Sequence, residues 1–153
     1  MKITKLEVDL WKDAIVAVHD KILDESGGQK GVRDIGGLEH AIFSIMSIDN
    51  KYERPVHVAA KTYYMLATRH YFFDGNKRTA HITAKVFLML FGGMHLKVRY
   101  KEAVDFIIAI ADKKKTIKEI EDWIKSNSEK GVEKPFDDLE FELKEMKDYM
   151  KGS

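Results

Sequence analysis

The chain has 153 residues, with 26 Lys plus Arg against 25 Asp plus Glu, a formal charge of +1, and 44% hydrophobic with 33% charged residues. That balance argues against a nucleic-acid binder working by phosphate neutralisation, and the apolar content excludes a wholly disordered chain. One core suffices at this length, and the absence of cysteine excludes a disulfide framework and thiolate chemistry, which fits a reducing, cytoplasmic setting.

Glu7, Asp9, Lys12 and Asp13 interrupt the N-terminal segment, so it lacks the apolar stretch of a signal peptide. The longest apolar run, residues 86–91, is six residues, far below the roughly 18 of a membrane span. No membrane partner is expected.

Leu6, Leu10, Ile15, Val18, Ile22 and Leu23 recur at helical spacing through a first helix that runs out near Ser26-Gly27-Gly28. Residues 27–37 then hold five glycines in eleven positions, which argues against a helix interior. Within them Gly31, Val32, Arg33, Asp34 and Ile35 predict an exposed extended loop or small hairpin. Helical patterning resumes over residues 38–48. After a polar break at Asp49-Asn50-Lys51, Pro55 opens a helix over about 56–69. Residues 79–91 are apolar nearly all round, predicting a central helix closed by Gly92-Gly93.

Two further helices are predicted over 103–111 and 117–126, the second opened by a capping box of Thr116 with Glu119. Asp137 with Glu140 repeats that signature for a last helix to about Met150, where Phe136, Leu139, Phe141, Leu143 and Met146 stand among acids. The predicted fold class is all-α. A helical domain occupies residues 1–126, and an acidic amphipathic extension over 127–153 packs on the domain or binds a partner.

The densest polar cluster is His70-Tyr71-Phe72-Phe73-Asp74-Gly75-Asn76-Lys77-Arg78-Thr79-Ala80. Gly75 and Asn76 tolerate the tight backbone needed to leave one helix and enter another, and the new helix's N-terminal N–H groups then form an anion site. Lys77 and Arg78 oppose the positive end of the helix dipole, a cost that a bound polyphosphate offsets. Asp74 beside that site makes sense as a ligand for Mg²⁺ bridging phosphate oxygens. His70 supplies an imidazole, the side-chain type suited to accept a proton near neutral pH. Base, metal ligand, anion site and phosphate clamp within nine residues describe phosphoryl or nucleotidyl transfer.

These residues resemble the Fic/Doc family signature H-x-F-x-D/E-G-N-x-R, matched at His70, Phe72, Asp74, Gly75, Asn76 and Arg78. The run from Gly27 to Glu39 and Val18-His19-Asp20 resemble the death-on-curing (Doc) branch, so the likeness covers about residues 6–124. The resemblance implies a compact helical bundle with a glycine-rich flap and a nucleoside triphosphate, ATP or another, as co-substrate with Mg²⁺. His70 then deprotonates a hydroxyl of a target protein, and Asp74 holds Mg²⁺. Gly75 and Asn76 form the anion hole, Arg78 neutralises terminal phosphates, and Phe72 anchors the loop. Residues Gly31 to Ile35 become a flap holding the target by strand-like pairing.

Two positions depart from nucleotide-transferring Fic proteins. Lys77 replaces a glycine, as in the Doc-like branch, and His81 replaces a further arginine. The lysine fills room needed by α- and β-phosphates, so the resemblance implies a protein kinase presenting the γ-phosphate, with protein adenylylation (AMPylation) as the alternative. No inhibitory S/T-x-x-x-D/E-G/N pattern occurs, so restraint falls to a separate antitoxin of a toxin–antitoxin pair. The implied target is the translation elongation factor that delivers aminoacyl-tRNA.

Other readings compete. Residues 70–78 also fit an ordinary polar connection between helices, and Lys77 alone a solvated lysine. His19-Asp20 matches the centre of metal-dependent HD phosphohydrolases, but no earlier histidine accompanies it, so a helix-packing pair is expected. His40, His57 and His95 read as structural or surface residues, and His81, one turn into the helix and within reach of a phosphate, is not counted as a ligand. A Fic-fold module that binds nucleotide or partner without turnover is the non-enzymatic reading. Near-neutrality is itself a cancellation: residues 70–101 carry six Lys and Arg against one acid, and 117–150 six lysines against eleven acids.

Overall fold

Thr4 starts the first helix, α1 (Lys5–Ser26), by accepting the Glu7 N–H on its side chain, and Gly27 ends it at positive φ. The computed structural model describes residues 3–131. Along α1 the residues Val8, Ile15, His19, Ile22 and Leu23 turn inward, a stripe at helical spacing that includes one imidazole.

Helix α2 (Ile35–Met46) begins three residues earlier than its apolar pattern predicts. The Asp34 carboxylate accepts the Gly37 N–H at 2.8 Å and caps the helix. Ile35, Gly36 and Gly37 therefore form its first turn, and the predicted loop ends at Asp34. The cap stabilises a turn whose glycines have poor helix propensity.

Helix α3 (Pro55–Thr68) has Pro55 at its first turn, as the sequence predicts. Helix α4 (Asn76–Gly92) is buried along most of its length and packs most extensively on α3, which bears out its predicted central place. Its start precedes the predicted one because Gly75 takes the left-handed conformation at φ 77° and lets the chain turn directly into a helix. Gly93 caps its end.

Strand β1 (Met94–Leu96), α5 (Tyr100–Ala111), α6 (Ile117–Ser126) and β2 (Ser128–Lys130) follow. Both halves of the Thr116–Glu119 capping box are present on α6. Phe106 stacks on Trp123 with ring centroids 4.2 Å apart, fastening α5 to α6 and setting the turn between them.

The fold is all-α apart from one small antiparallel sheet, β1–β2, in which Met94 faces Lys130 and Leu96 faces Ser128. A small hairpin was expected in the glycine-rich flap, whereas this sheet joins the end of α4 to the residues after α6. Three-residue strands are too short to display a period of two, so the sequence pattern does not reveal them. Residues 128–130, assigned above to the extension, thus pair with the helical domain; the predicted last helix lies outside the described residues. Among the described residues no helix is long and apolar enough to cross a membrane.

Candidate active site

Helix α3 ends at Thr68, Arg69 follows in extended backbone, and His70 after it is exposed. Residues 71–75 then form a turn into α4, and three elements hold that turn. From α4, the buried Asn76 clasps the Phe72 backbone: its Oδ1 accepts the Phe72 N–H at 3.1 Å and its Nδ2 donates to the Phe72 carbonyl at 2.9 Å. The Asn76 side chain is therefore a clamp within the turn and not part of an anion hole.

From α1, His19 is 0% exposed and lies flat on the Phe72 ring, with centroids 3.8 Å apart and planes 10° from parallel. Its Nε2 sits 2.8 Å from the Asp74 carbonyl, which only accepts, so this nitrogen carries the hydrogen. The neighbouring Asp20 carboxylate faces Nδ1 at 3.3 Å. His19 is thus a packing residue, as expected, and also a support for the turn that sequence reasoning did not assign. Phe72, expected to anchor the loop, is buried and stacks on His19.

The third element is the segment before α2. Val32 pairs with Phe72 in an isolated antiparallel bridge. The Arg33 and Asp34 N–H groups both donate to the Tyr71 carbonyl, and the Phe73 N–H donates to the Gly31 carbonyl. The expected flap therefore pairs with the motif turn itself, and Ile35 belongs to α2. Successive residues of an extended strand aim their main-chain groups at opposite edges, so Val32 alone turns its N–H and C=O away from the turn.

Asp74 accepts the Gly75 N–H on Oδ1 at 3.0 Å and the Gln29 N–H on Oδ2 at 3.1 Å. Gly28 makes room for it: a Cβ there would stand 2.9 Å from Oδ2. The Gly75 N–H is thereby committed to Asp74. The first backbone bond of α4 runs from the Thr79 N–H to the Gly75 carbonyl, so the Asn76 and Lys77 N–H groups precede the helical ladder.

Arg78, expected at terminal phosphates, is 1% exposed. It donates to the Ser26 hydroxyl and the Gly27 carbonyl at the end of α1, and its NH2 lies 3.9 Å from Asp74 Oδ1. Burial pushes the guanidinium below its ordinary range, and Asp74 opposes that shift. The cation therefore sits at the negative end of α1 and beside a carboxylate, which offsets within the protein the cost assigned above to a bound phosphate. His81 is buried against Tyr63, whose hydroxyl lies 2.8 Å from its Nδ1.

Two cavities flank the turn. One of about 270 Å³ is lined by His70, Phe73, Asp74, Gly75, Asn76 and Lys77 on the motif side and by Ala111 and Asp112 opposite. The other, about 600 Å³, lies on the flap side and includes Arg33, Asp34, His40, Arg69, His70 and Tyr71. His70 belongs to both walls. Sequence reasoning missed Ala111 and Asp112, which lie far along the chain and carry no motif. His19 was reachable in part, because it shares the inward stripe of Ile15 and Ile22.

Among the described residues no group of three His, Asp or Glu side chains is placed to hold a metal ion. Asp74 does fit a single-carboxylate ligand: each oxygen accepts one backbone N–H, which leaves each a further lone pair at the cavity wall.

A central helix begins at a clamped, glycine-turned loop, and an imidazole beside it stands between two cavities. The Fic/DOC family model matches residues 9–88, just over half of the chain, and the chain belongs to that family. Proteins of this family are generally transferases that draw on a nucleoside triphosphate and move a group derived from it. Among curated proteins, none matches the chain.

Proposed function

We propose that this protein transfers the γ-phosphate of a nucleoside triphosphate to a Ser or Thr hydroxyl of a target protein. The observation that carries the reading is the place of His70 on the wall shared by two cavities, one at the N-terminus of α4 and one beside the flap. A triphosphate on the α4 side and a hydroxyl on the flap side meet at that imidazole.

In this reading the hydroxyl oxygen forms a bond to the γ-phosphorus while the bond from that phosphorus to the β–γ bridging oxygen breaks. The hydroxyl proton passes to a ring nitrogen of His70, and the nucleoside diphosphate leaves. Among the described residues no protein group hydrogen-bonds the His70 ring, which leaves it open to substrate. Asp74 would hold Mg²⁺, which when bound neutralises phosphate charge. The Asn76 and Lys77 N–H groups meet phosphate oxygens at the positive end of α4. Arg78 acts at one remove by holding Asp74 and the end of α1 together.

Lys77 supports phosphoryl over nucleotidyl transfer, because it lines the phosphate-side cavity where a glycine leaves room for α- and β-phosphates. The same Doc-like resemblance supports a toxin role in the cytoplasm, with a separate antitoxin and the translation elongation factor as target.

Intact-mass spectrometry of the target incubated with ATP and Mg²⁺ tests the reading, with wild type beside His70→Ala and Lys77→Gly. Gain of one phosphate is expected, lost in His70→Ala. Gain of a nucleoside monophosphate replaces it with adenylylation, and no gain with any nucleotide leaves a binding module. Full activity in His70→Ala removes the proposed base.

A further inference from the structure

The flap-side cavity carries charge that the transfer chemistry does not use. Arg33 and Arg69 both line it, both are exposed, and neither side chain has an ion-pair or hydrogen-bond partner among the described residues. His40 stands exposed in the same wall. The one acid there, Asp34, has an oxygen committed to the Gly37 N–H as the cap of α2. Gly37 also lines the cavity, so the positive end of α2 adds to the arginines.

Main-chain recognition is restricted on this side. The Gly31 carbonyl and the Arg33 and Asp34 N–H groups are bound to the motif turn, which leaves Val32 as the one residue of the segment with outward main-chain groups. A segment that brings a hydroxyl to His70 is then discriminated mainly by side chains, and the charged ones of this wall are Arg33 and Arg69 against the single acid Asp34. The nucleotide's own charge is met across His70, at the start of α4.

We infer that the flap-side cavity, where the transfer reading puts the acceptor hydroxyl, selects acidic peptides, with Asp or Glu within a few residues of the hydroxyl presented to His70. Arg33 and Arg69 are its specificity-determining residues. The inference rests on the transfer reading for the meaning of "acceptor", but its test does not need turnover.

Fluorescent serine peptides matched in length, with the serine flanked by Glu, Gln or Lys, are titrated onto the full chain without nucleotide, and binding is read by anisotropy. The Glu peptide is expected to bind about tenfold or more tightly than the Gln peptide, with an affinity that falls as salt rises, and the Lys peptide least. Arg33→Glu and Arg69→Glu are each expected to abolish that preference, Arg69→Lys to retain much of it, and all three to keep the wild-type melting temperature because both positions are exposed. Equal binding of the three peptides, no binding of any, or unchanged preference in both charge reversals overturns the inference. Displacement of the Glu peptide by stoichiometric ATP also overturns it, by placing the nucleotide in this cavity. Acidic preference with no group transfer in the mass experiment sinks the transfer reading alone; transfer without acidic preference sinks this one alone.

Discussion

Asn76 and His19 bind the backbone of the 72–75 turn from opposite sides, one by clasping Phe72 and the other through the Asp74 carbonyl. His70, Asp74 and Gly75 stand out in the sequence as one cluster because they fall within the same nine residues. The support from His19 was not legible there, because its partner lies 55 positions away. His19→Phe keeps a ring on Phe72 and removes the donor to Asp74 together with the Asp20 contact at Nδ1. A loss of about 1–3 kcal/mol in urea unfolding is expected, together with a weaker nucleotide KM as Asp74 loosens. Unchanged KM would show that the turn holds its shape without this bond. Tyr71 offers a pH-dependent counterpart. Burial raises its phenol above the ordinary value of 10.0, Arg69 opposes that shift and Asp34 adds to it. The fold favours the neutral phenol, so its contribution is fully present below about pH 10 and is lost as pH rises through that value, where the unfolded phenol ionises first. Wild type should therefore lose more stability than Tyr71→Phe between about pH 9 and about pH 11, measured by denaturant midpoints.

At the level of elements, the site is a junction between the C-terminus of α1 and the N-terminus of α4. Arg78 crosses it, bonded to Ser26 and Gly27 and paired with Asp74. Gly28, at φ 132°, lets the chain after α1 pass close enough for Gln29 to donate to Asp74. Gly28→Ala places a Cβ 2.9 Å from both Asp74 Oδ2 and Leu23 Cδ2 in a backbone region that L-residues seldom adopt. A destabilisation of roughly 1–3 kcal/mol is expected. Nucleotide binding with Mg²⁺ should fall further than stability does, read by calorimetric titration beside thermal unfolding. If the variant bound nucleotide as wild type does, the position of Asp74 would not matter for binding. Element boundaries were legible where the determinant was local: the Thr116–Glu119 box sets the start of α6 as predicted. The starts of α2 and α4 were placed late, because a cap at Asp34 and a left-handed Gly75 outweigh the weak helix propensity of the residues that follow.

At the scale of the molecule, the core among the described residues draws on α1 to α6. Strand β2 completes that unit, since Lys97 donates to the Asn127 carbonyl and Gly131 to the Gly93 carbonyl on either side of the β1–β2 pairing. A chain ending at Gly131 is therefore expected to unfold cooperatively and to be more stable than one ending at Ser126 by about 1–3 kcal/mol, the worth of a few backbone hydrogen bonds. Equal denaturation midpoints for the two would show that the strand pairing adds nothing. The charge asymmetry read from the sequence also changes meaning in three dimensions. Part of the basic excess over 70–101 is Arg78, which is internal, while the open cations beside His70 include Arg33 and Arg69, outside that stretch.

The sequence by itself determined the helical class and the central place of α4, and it marked the His70–Arg78 turn as the candidate site, because apolar periodicity and a short motif depend only on near neighbours. The tertiary structure alone decided that Arg78 and Asn76 hold the protein together at this turn, that the 31–34 segment pairs with the motif, and that His70 stands between two cavities. Each of those depends on which distant backbone groups come within hydrogen-bond reach, and chain order does not encode that distance directly.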